Sequence, residues 1–351
     1  MQAVIWIGEE ENTCYITHIM ELLQVKDLNI GFRNGKDVLS MVDGVSFSVA
    51  PGEILSLVGE SGCGKSISCL ALTGLLPHSA AEVRAESILF RNTELANAPA
   101  GKLRKVRGGG IAYIFQEPSA SLNPVFRVGE QIAEVLELHR PDVKDIRQEV
   151  IRLLKLVGIP APESRIAAYP HELSGGMQQR IMIAMALAGN PALLIADEPT
   201  TALDVTIQAQ ILELIDQMRK QHNMGVILVT HNLGIVAETA DRVAVMYAGR
   251  IVETAPVKEL LANPAHPYTR ALLAAVPHPG MPDGPLATIR GSVPTPGNYP
   301  AGCRFFGRCS HCDCLSAELR HKCEFEVPPM QEITSGHFCG CHAPMQEKKE
   351  A

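Results

Sequence analysis

The run Gly59-Glu-Ser-Gly-Cys-Gly-Lys65-Ser66 constrains this chain more than any other feature. It fits the pattern G-x-x-x-x-G-K-[ST] at every position. The short apolar run Ile54–Val58 precedes it, and a stretch with a helical pattern follows from Lys65 to about Leu76. A strand, a glycine-rich loop and a helix in that order make a phosphate cradle. Gly59, Gly62 and Gly64 let successive backbone N–H groups turn inward around a β-phosphate, where side chains would block them. The helix presents its positive end to the anion. Lys65 is expected to reach the β- and γ-phosphates, and the Ser66 hydroxyl to ligate magnesium. Ser61, Cys63 and Ile67 belong to the same nucleotide-binding stretch. Cys63 holds a wildcard position, where an inert filler is expected ahead of a redox-sensitive thiol.

Other segments extend the reading. Leu193–Asp197 is an apolar run ending in two carboxylates, Asp197 and Glu198. Consecutive strand residues point to opposite sides, so the two acids can do different work. Asp197 is expected to hold magnesium, and Glu198 to orient and deprotonate an attacking water. Ile111–Phe115 and Val226–Thr230 read as further buried strands, with helical patterns at Glu149–Leu156 and Val205–Asn223. Strands alternating with helices predict a parallel sheet covered on both faces. Upstream, Glu21–Ile30 alternates like a strand, Val45, Phe47 and Val49 suggest another, and Pro51-Gly52 a turn. Residues 1–19 look detached from this pattern, with Met20 a candidate start.

Leu173-Ser174-Gly175-Gly176-Met-Gln178 opens a second anion-binding helix start, with Ser174 a natural N-cap and two glycines exposing backbone N–H groups. A site shared between two chains needs such an element; a site complete within one chain does not. Here the chain resembles an ABC transporter nucleotide-binding domain over roughly residues 21–255. Leu173–Gln178 is similar to that family's signature loop. Phe32 stands where the family stacks an aromatic on adenine. Gln116 matches its glutamine loop, which senses magnesium and couples to the membrane partner. Ala202-Leu203-Asp204 matches its dimer-contact loop, and His231 its switch histidine, which contacts the γ-phosphate. The resemblance implies an α/β fold of the P-loop NTPase kind: a mixed sheet core and a helical subdomain over about 117–180, in an ATPase domain over 20–255. It also implies ATP and Mg2+ as cofactors, and a composite site between two nucleotide-binding domains.

The chain continues for more than a hundred residues past His231. After about residue 255 proline becomes frequent (Pro277, Pro279, Pro282, Pro285, Pro294, Pro296, Pro300), which predicts an irregular, extended tail over 256–351. Seven of the ten cysteines lie beyond residue 302, and in a reducing compartment such density reads as metal or cluster ligation before disulfides. The tail holds His266-Pro267-Tyr268 and Gly302-Cys303-Arg-Phe-Phe-Gly-Arg308-Cys309. In this it resembles the C-terminal extension of oligopeptide and dipeptide permease ATPases. By that resemblance Cys303, Cys309, Cys323 and Cys341 would hold a 4Fe-4S cluster, with Cys312, Cys314 and Cys339 as alternates. A zinc site of Cys309, Cys312, Cys341 and His342 is the rival. In either case a structural role is expected, because a short proline-rich tail buries little apolar area and a metal can supply folding free energy.

No apolar stretch is long enough to span a bilayer. The longest candidate, Ile181–Ala196, is broken by Gly189, Asn190 and Pro191. The expected place is therefore the cytoplasmic face of the inner membrane, reached through partners. The resemblance implies two membrane permease subunits, a second ATPase subunit forming a heterodimer, and an extracytoplasmic peptide-binding protein. The implied activity is ATP-driven import of di- and oligopeptides. Import of nickel or another small solute by the same machine is one alternative. A soluble ABC ATPase acting on nucleic acid or ribosomes is another, which a net charge of -7 opposes.

Overall fold

A computed structural model of the chain describes residues 21–35, 37–77, 79–200, 204–276 and 288–345. The segment 1–19, Met20, Ala202, Leu203 and the prolines 277, 279, 282 and 285 lie outside the described residues. In chain order the strands are β1 (Leu23–Asn34), β2 (Asp37–Val49), β3 (Ile54–Val58), β4 (Ala81–Arg84), β5 (Ser87–Phe90) and β6 (Thr93–Glu94). Then follow β7 (Ile111–Ile114), β8 (Leu193–Asp197), β9 (Gly225–Val229), β10 (Arg242–Tyr247), β11 (Arg250–Pro256), β12 (Gln331–Thr334) and β13 (His337–Cys339).

The central sheet runs β12-β13-β11-β10-β3-β9-β8-β7. The five strands β7, β8, β9, β3 and β10 are parallel; β11, β13 and β12 are antiparallel to their neighbours. Buried on both faces, β3 and β9 are apolar throughout except for Ser56 and Gly225. Their side chains alternate between two cores. Ile54, Val58, Leu194, Ala196, Val226 and Leu228 face one, and Leu55, Leu57, Leu193, Ile195, Ile227 and Val229 the other. Each of these valine, leucine and isoleucine side chains contributes about 1.5–3 kcal/mol of burial.

The first core is closed by helices, among them Val128–His139, Ile146–Leu156 and Gly175–Ala188, the first and last of which span most of the expected helical segment. The second is closed by a separate antiparallel sheet, β2-β1-β5-β6 with β4 on β1, through Leu23, Val25, Val45 and Phe47. That sheet contains the two strands expected upstream, longer than foreseen because β1 and β2 pair along a hairpin from Leu23↔Val49 to Asn34↔Asp37. The helix after the phosphate loop is shorter than expected, Lys65–Ala71. It ends before Gly74, whose φ of 65° lies in the left-handed region.

The expectation of an irregular tail that buries little requires correction. Strand β13 pairs with β11 (Glu253↔Cys339, Thr254↔Phe338) and β12 with β13, so the extension continues the central sheet. Tyr268 and Phe305 enter the first core against Tyr247, with ring centroids 4.6–5.4 Å apart. Aromatic area of this size, once buried, supplies docking free energy without a metal.

Candidate functional site

Four loops at the carboxyl ends of neighbouring parallel strands meet in one place, where ligands of such sheets bind. The phosphate loop leaves β3, His231 follows β9, Asp197 and Glu198 end β8, and Gln116 lies two residues beyond β7. Gly64 starts the helix at a φ of 106°, and a Cβ on Gly59 would lie 2.1 Å from the Met246 carbonyl oxygen. Only glycine fits both positions. Lys65 is buried, and its ammonium donates to the carbonyls of Gly59 (2.8 Å) and Glu60 (3.1 Å).

Ser66 hydrogen-bonds Asp197. The other Asp197 oxygen, Oδ1, is buried with no hydrogen-bond partner among the described residues. Burial, helped by the Glu198 charge, pushes the Asp197 carboxyl up, while Ser66 and Lys65 oppose the shift. An orphaned carboxylate oxygen beside a hydroxyl is an oxygen donor set that suits a hard divalent cation.

Glu198 is held on both oxygens: Gln116 Nε2 donates to Oε2 at 3.0 Å, and His231 Nδ1 lies 3.1 Å from Oε1. Its backbone adopts a φ of 47°, a conformation that costs about 1–3 kcal/mol for a non-glycine residue and concentrates at functional sites. Glu198 thus joins Gln116 and His231 through its two oxygens. Cys63 is buried, and burial pushes its thiol up while the Lys65 charge opposes the shift. Ile67 and Phe32 are partly buried against the second core.

The Ser174 helix start stands apart. Ser174 and Gly175 are exposed, a Cβ on Gly175 or Gly176 would meet nothing within 4 Å, and the Ser174 hydroxyl accepts from Met177 N at 3.4 Å. Gln178 turns back to Pro170 O and Leu173 O. Among the described residues no hydrogen bond or ion pair joins this turn to the phosphate loop. Asp204 caps the helix Val205–His222, accepting from Ile207 N at 2.9 Å.

In the extension, Cys303, Cys309, Cys312, Cys323 and Cys341 line one small pocket with His266, His311 and His342. Burial pushes the Cys309 thiol up to about 11 and those of Cys323 and Cys341 up to about 12. Cys314 is exposed, and Cys339 packs in a small cluster with Ala265 and Cys341. Among the described residues no three His, Cys, Asp or Glu groups are placed to hold one metal ion. That bears alike on the cluster set Cys303, Cys309, Cys323 and Cys341 and on the zinc set Cys309, Cys312, Cys341 and His342, all of which line this one pocket.

Sequence reasoning passed over Glu60, a wildcard of the phosphate loop. Its carboxylate receives two hydrogen bonds from Arg308, at 2.7 and 3.1 Å, and its backbone N–H donates to the Tyr268 hydroxyl at 2.9 Å. The loop's own pattern carries no signal for this, since any residue satisfies it.

Residues 42–201 match the ABC transporter family, and residues 252–313 match the C-terminal region of oligopeptide/dipeptide transporters. The chain is 47% identical over 330 residues to the dipeptide transport ATP-binding protein DppD of Haemophilus influenzae, covering 94% of this chain and 97% of that one. It is 46% identical over 330 residues to the oligopeptide transport ATP-binding protein AppD of Bacillus subtilis, covering 94% and 98%. Among solved structures it is similar to the dimeric bacterial ABC transporter cassette MJ0796, with 25% identity, a TM-score of 0.59, and coverage of 67% of this chain and 98% of that one.

Proposed function

The chain belongs to the ABC transporter family, and from that premise we propose that it is the ATP-hydrolysing subunit of an importer of di- and oligopeptides. The observation that carries this reading is identity spread over nearly the whole length of proteins named for dipeptide and oligopeptide transport, tail included. Those names favour peptides over nickel as cargo, and over a soluble ATPase acting on nucleic acid or ribosomes.

Lys65 and the backbone N–H groups of Gly59–Ser66 bind the nucleotide phosphates, and Ser66 and Asp197 would hold Mg2+, with Gln116 beside them. The ion, when bound, supplies positive charge opposite the developing phosphate charge. Glu198 takes the proton from the attacking water, and Gln116 and His231 keep its two oxygens in place. Phe32 would lie against the adenine. The open Ser174–Gln178 turn serves the nucleotide of a second ATPase subunit, with Asp204 at the contact between the two; the dimeric MJ0796 cassette supports this arrangement. A related but distinct partner would make the pair a heterodimer.

No described helix is long and apolar enough to cross a membrane. Two membrane subunits therefore carry the peptide, delivered by an extracytoplasmic binding protein, and the chain sits peripherally at the cytoplasmic face. The exposed side chains Phe115, Val125 and Phe126, within ten positions of Gln116 in the sequence, offer an apolar contact for them. The five cysteines lining one pocket are what supports a metal-holding reading of the tail: an iron–sulfur cluster on Cys303, Cys309, Cys323 and Cys341, with Cys312 an alternate, and zinc on Cys309, Cys312, Cys341 and His342 as its rival.

Uptake of labelled di- and oligopeptides, with nickel in parallel, by cells carrying the parent chain or Glu198→Gln tests the reading. Peptide uptake is expected to fall with the variant. The purified variant keeps ATP binding while hydrolysis slows about 10²–10⁴-fold, the usual loss on removing a general base. Hydrolysis at the parent rate would remove Glu198 from this role, and loss of nickel uptake alone would change the cargo.

A further inference from the structure

Glu60 is the point at which the extension reaches the phosphate loop, and all its polar groups are engaged. Its carboxylate takes the Arg308 fork and its N–H donates to the Tyr268 hydroxyl. Its carbonyl accepts from Lys65 Nζ at 3.1 Å and from Cys63 N at 3.3 Å. A continuous chain of hydrogen bonds thus runs from the extension to the lysine that reads the phosphates.

Both partners from the extension are themselves fixed. Tyr268 is fully buried between Tyr247 and Phe305. Arg308 is 9% exposed and also donates to Tyr247 Oη (3.2 Å), Arg290 O (2.6 Å) and Gly291 O (3.4 Å). Two parallel N–H···O bonds from a rigid guanidinium fix direction as well as distance. A second strut supports the same loop from its far side. Arg304 bonds Asp43 at 2.5 Å and the Ala248 carbonyl, and the neighbouring Gly249 N–H donates to Cys63 O at 2.9 Å.

A phosphate cradle works by presenting its N–H groups already aimed at the anion, so whatever holds the loop in shape contributes to affinity. We propose that Arg308 and Tyr268 are positioning residues of the nucleotide site: they hold Glu60, and with it the loop from Gly59 to Lys65, in the shape that receives a phosphate. The extension thereby sets part of the chain's affinity for ATP, whatever its cysteines hold.

The test measures binding of Mg-ATP to the full chain with a fluorescent ATP analogue, and steady-state hydrolysis, for Arg308→Gln, Arg308→Lys, Glu60→Gln, Tyr268→Phe and the double variant Arg308→Gln/Glu60→Gln. Binding by the parent chain is the control; its absence would sink the ATPase reading and not the clamp. Arg308→Gln is expected to weaken binding about 10-fold, or roughly 1.4 kcal/mol, through KM, with kcat at saturating ATP changed less than about twofold. Arg308→Lys keeps the charge without the fork and recovers part of the loss. Glu60→Gln matches Arg308→Gln, and the double variant is no worse than either, because coupled residues are not additive. Unchanged affinity in Arg308→Gln with a lowered melting temperature would reduce the pair to a docking contact and overturn the proposal, as would full additivity. Should Arg308→Gln fail to fold, Tyr268→Phe decides alone: it removes one oxygen from a ring that keeps its packing, and parent-like affinity refutes the clamp.

Discussion

At the scale of single residues, the groups proposed to bind nucleotide and perform chemistry were legible because the chemistry dictates their type. A lysine must reach phosphates, a hydroxyl and a carboxylate must meet a cation, and a second carboxylate must meet water. Lys65, Ser66, Asp197, Glu198, Gln116 and His231 were named on those demands, and they lie together at the carboxyl ends of neighbouring strands. Glu60 was not legible, since its partner Arg308 lies 248 positions away and nothing local marks either. Glu253 was equally hidden. It is fully buried and accepts from Ala265 N (2.7 Å) and His266 N (2.9 Å), with His337 Nε2 at 2.7 Å from it. Burial acts to raise its carboxyl, but these hydrogen bonds, led by His337, win and hold it below the usual range. A carboxyl depressed in the folded chain binds its proton more readily when unfolded. Its contribution is therefore complete above the ordinary glutamate pKa of about 4.3 and is lost as pH falls through the lower folded value. Glu253→Gln is expected to cost about 2–4 kcal/mol at neutral pH and to flatten the acid side of a melting-temperature profile. A variant whose acid side matches the parent's removes Glu253 from that role.

At the scale of elements, the buried parallel strands were the most readable, because apolar runs of five residues bounded by turns have few other destinations. The run Leu193–Asp197 became β8 without change, and the Val226–Thr230 reading differs from β9 by one residue at each end. The second sheet was not readable as such. Alternation in Glu21–Ile30 shows that one face is buried, not which layer covers it. The Ser174 turn was visible as a capped, glycine-rich helix start, and the structure leaves it open on its outer side. Ser174→Ala is expected to remove the cap for about 1 kcal/mol. Ser174→Arg should leave ATP binding by the isolated full chain unchanged while abolishing hydrolysis by the assembled pair, since the bulk falls in the partner's site. Reduced ATP binding by the isolated chain in Ser174→Arg would place the turn in the chain's own site and contradict the shared arrangement.

At the scale of the whole molecule, composition misled. Prolines and cysteines after residue 255 suggested a loose tail in need of a metal, whereas Tyr268, Phe305, Arg304, Arg308 and β13 bind the extension to the ATPase core. The distance between those residues and their partners in the sequence is what concealed it. Cys303→Ser, purified anaerobically with the parent, is accordingly expected to lose bound iron yet keep its ATP affinity within about threefold, and to unfold at a somewhat lower temperature. Zinc without iron in the parent would end the cluster reading, and a wholly unfolded Cys303→Ser chain would restore the metal as the extension's main support. The placement of β13 also bears on how the molecule is made. Strand β11 is synthesised some 80 residues before its outer neighbour, because Glu253 pairs with Cys339, and until then it is a bare edge able to pair with another chain. A growing polypeptide that has passed Arg308 but not residue 337 therefore holds the partners of Glu60 before it can close its sheet. A product of translation stopped short of residue 337 would lack its last strand and leave the β11 edge open, a feature that chaperones and proteases can recognise.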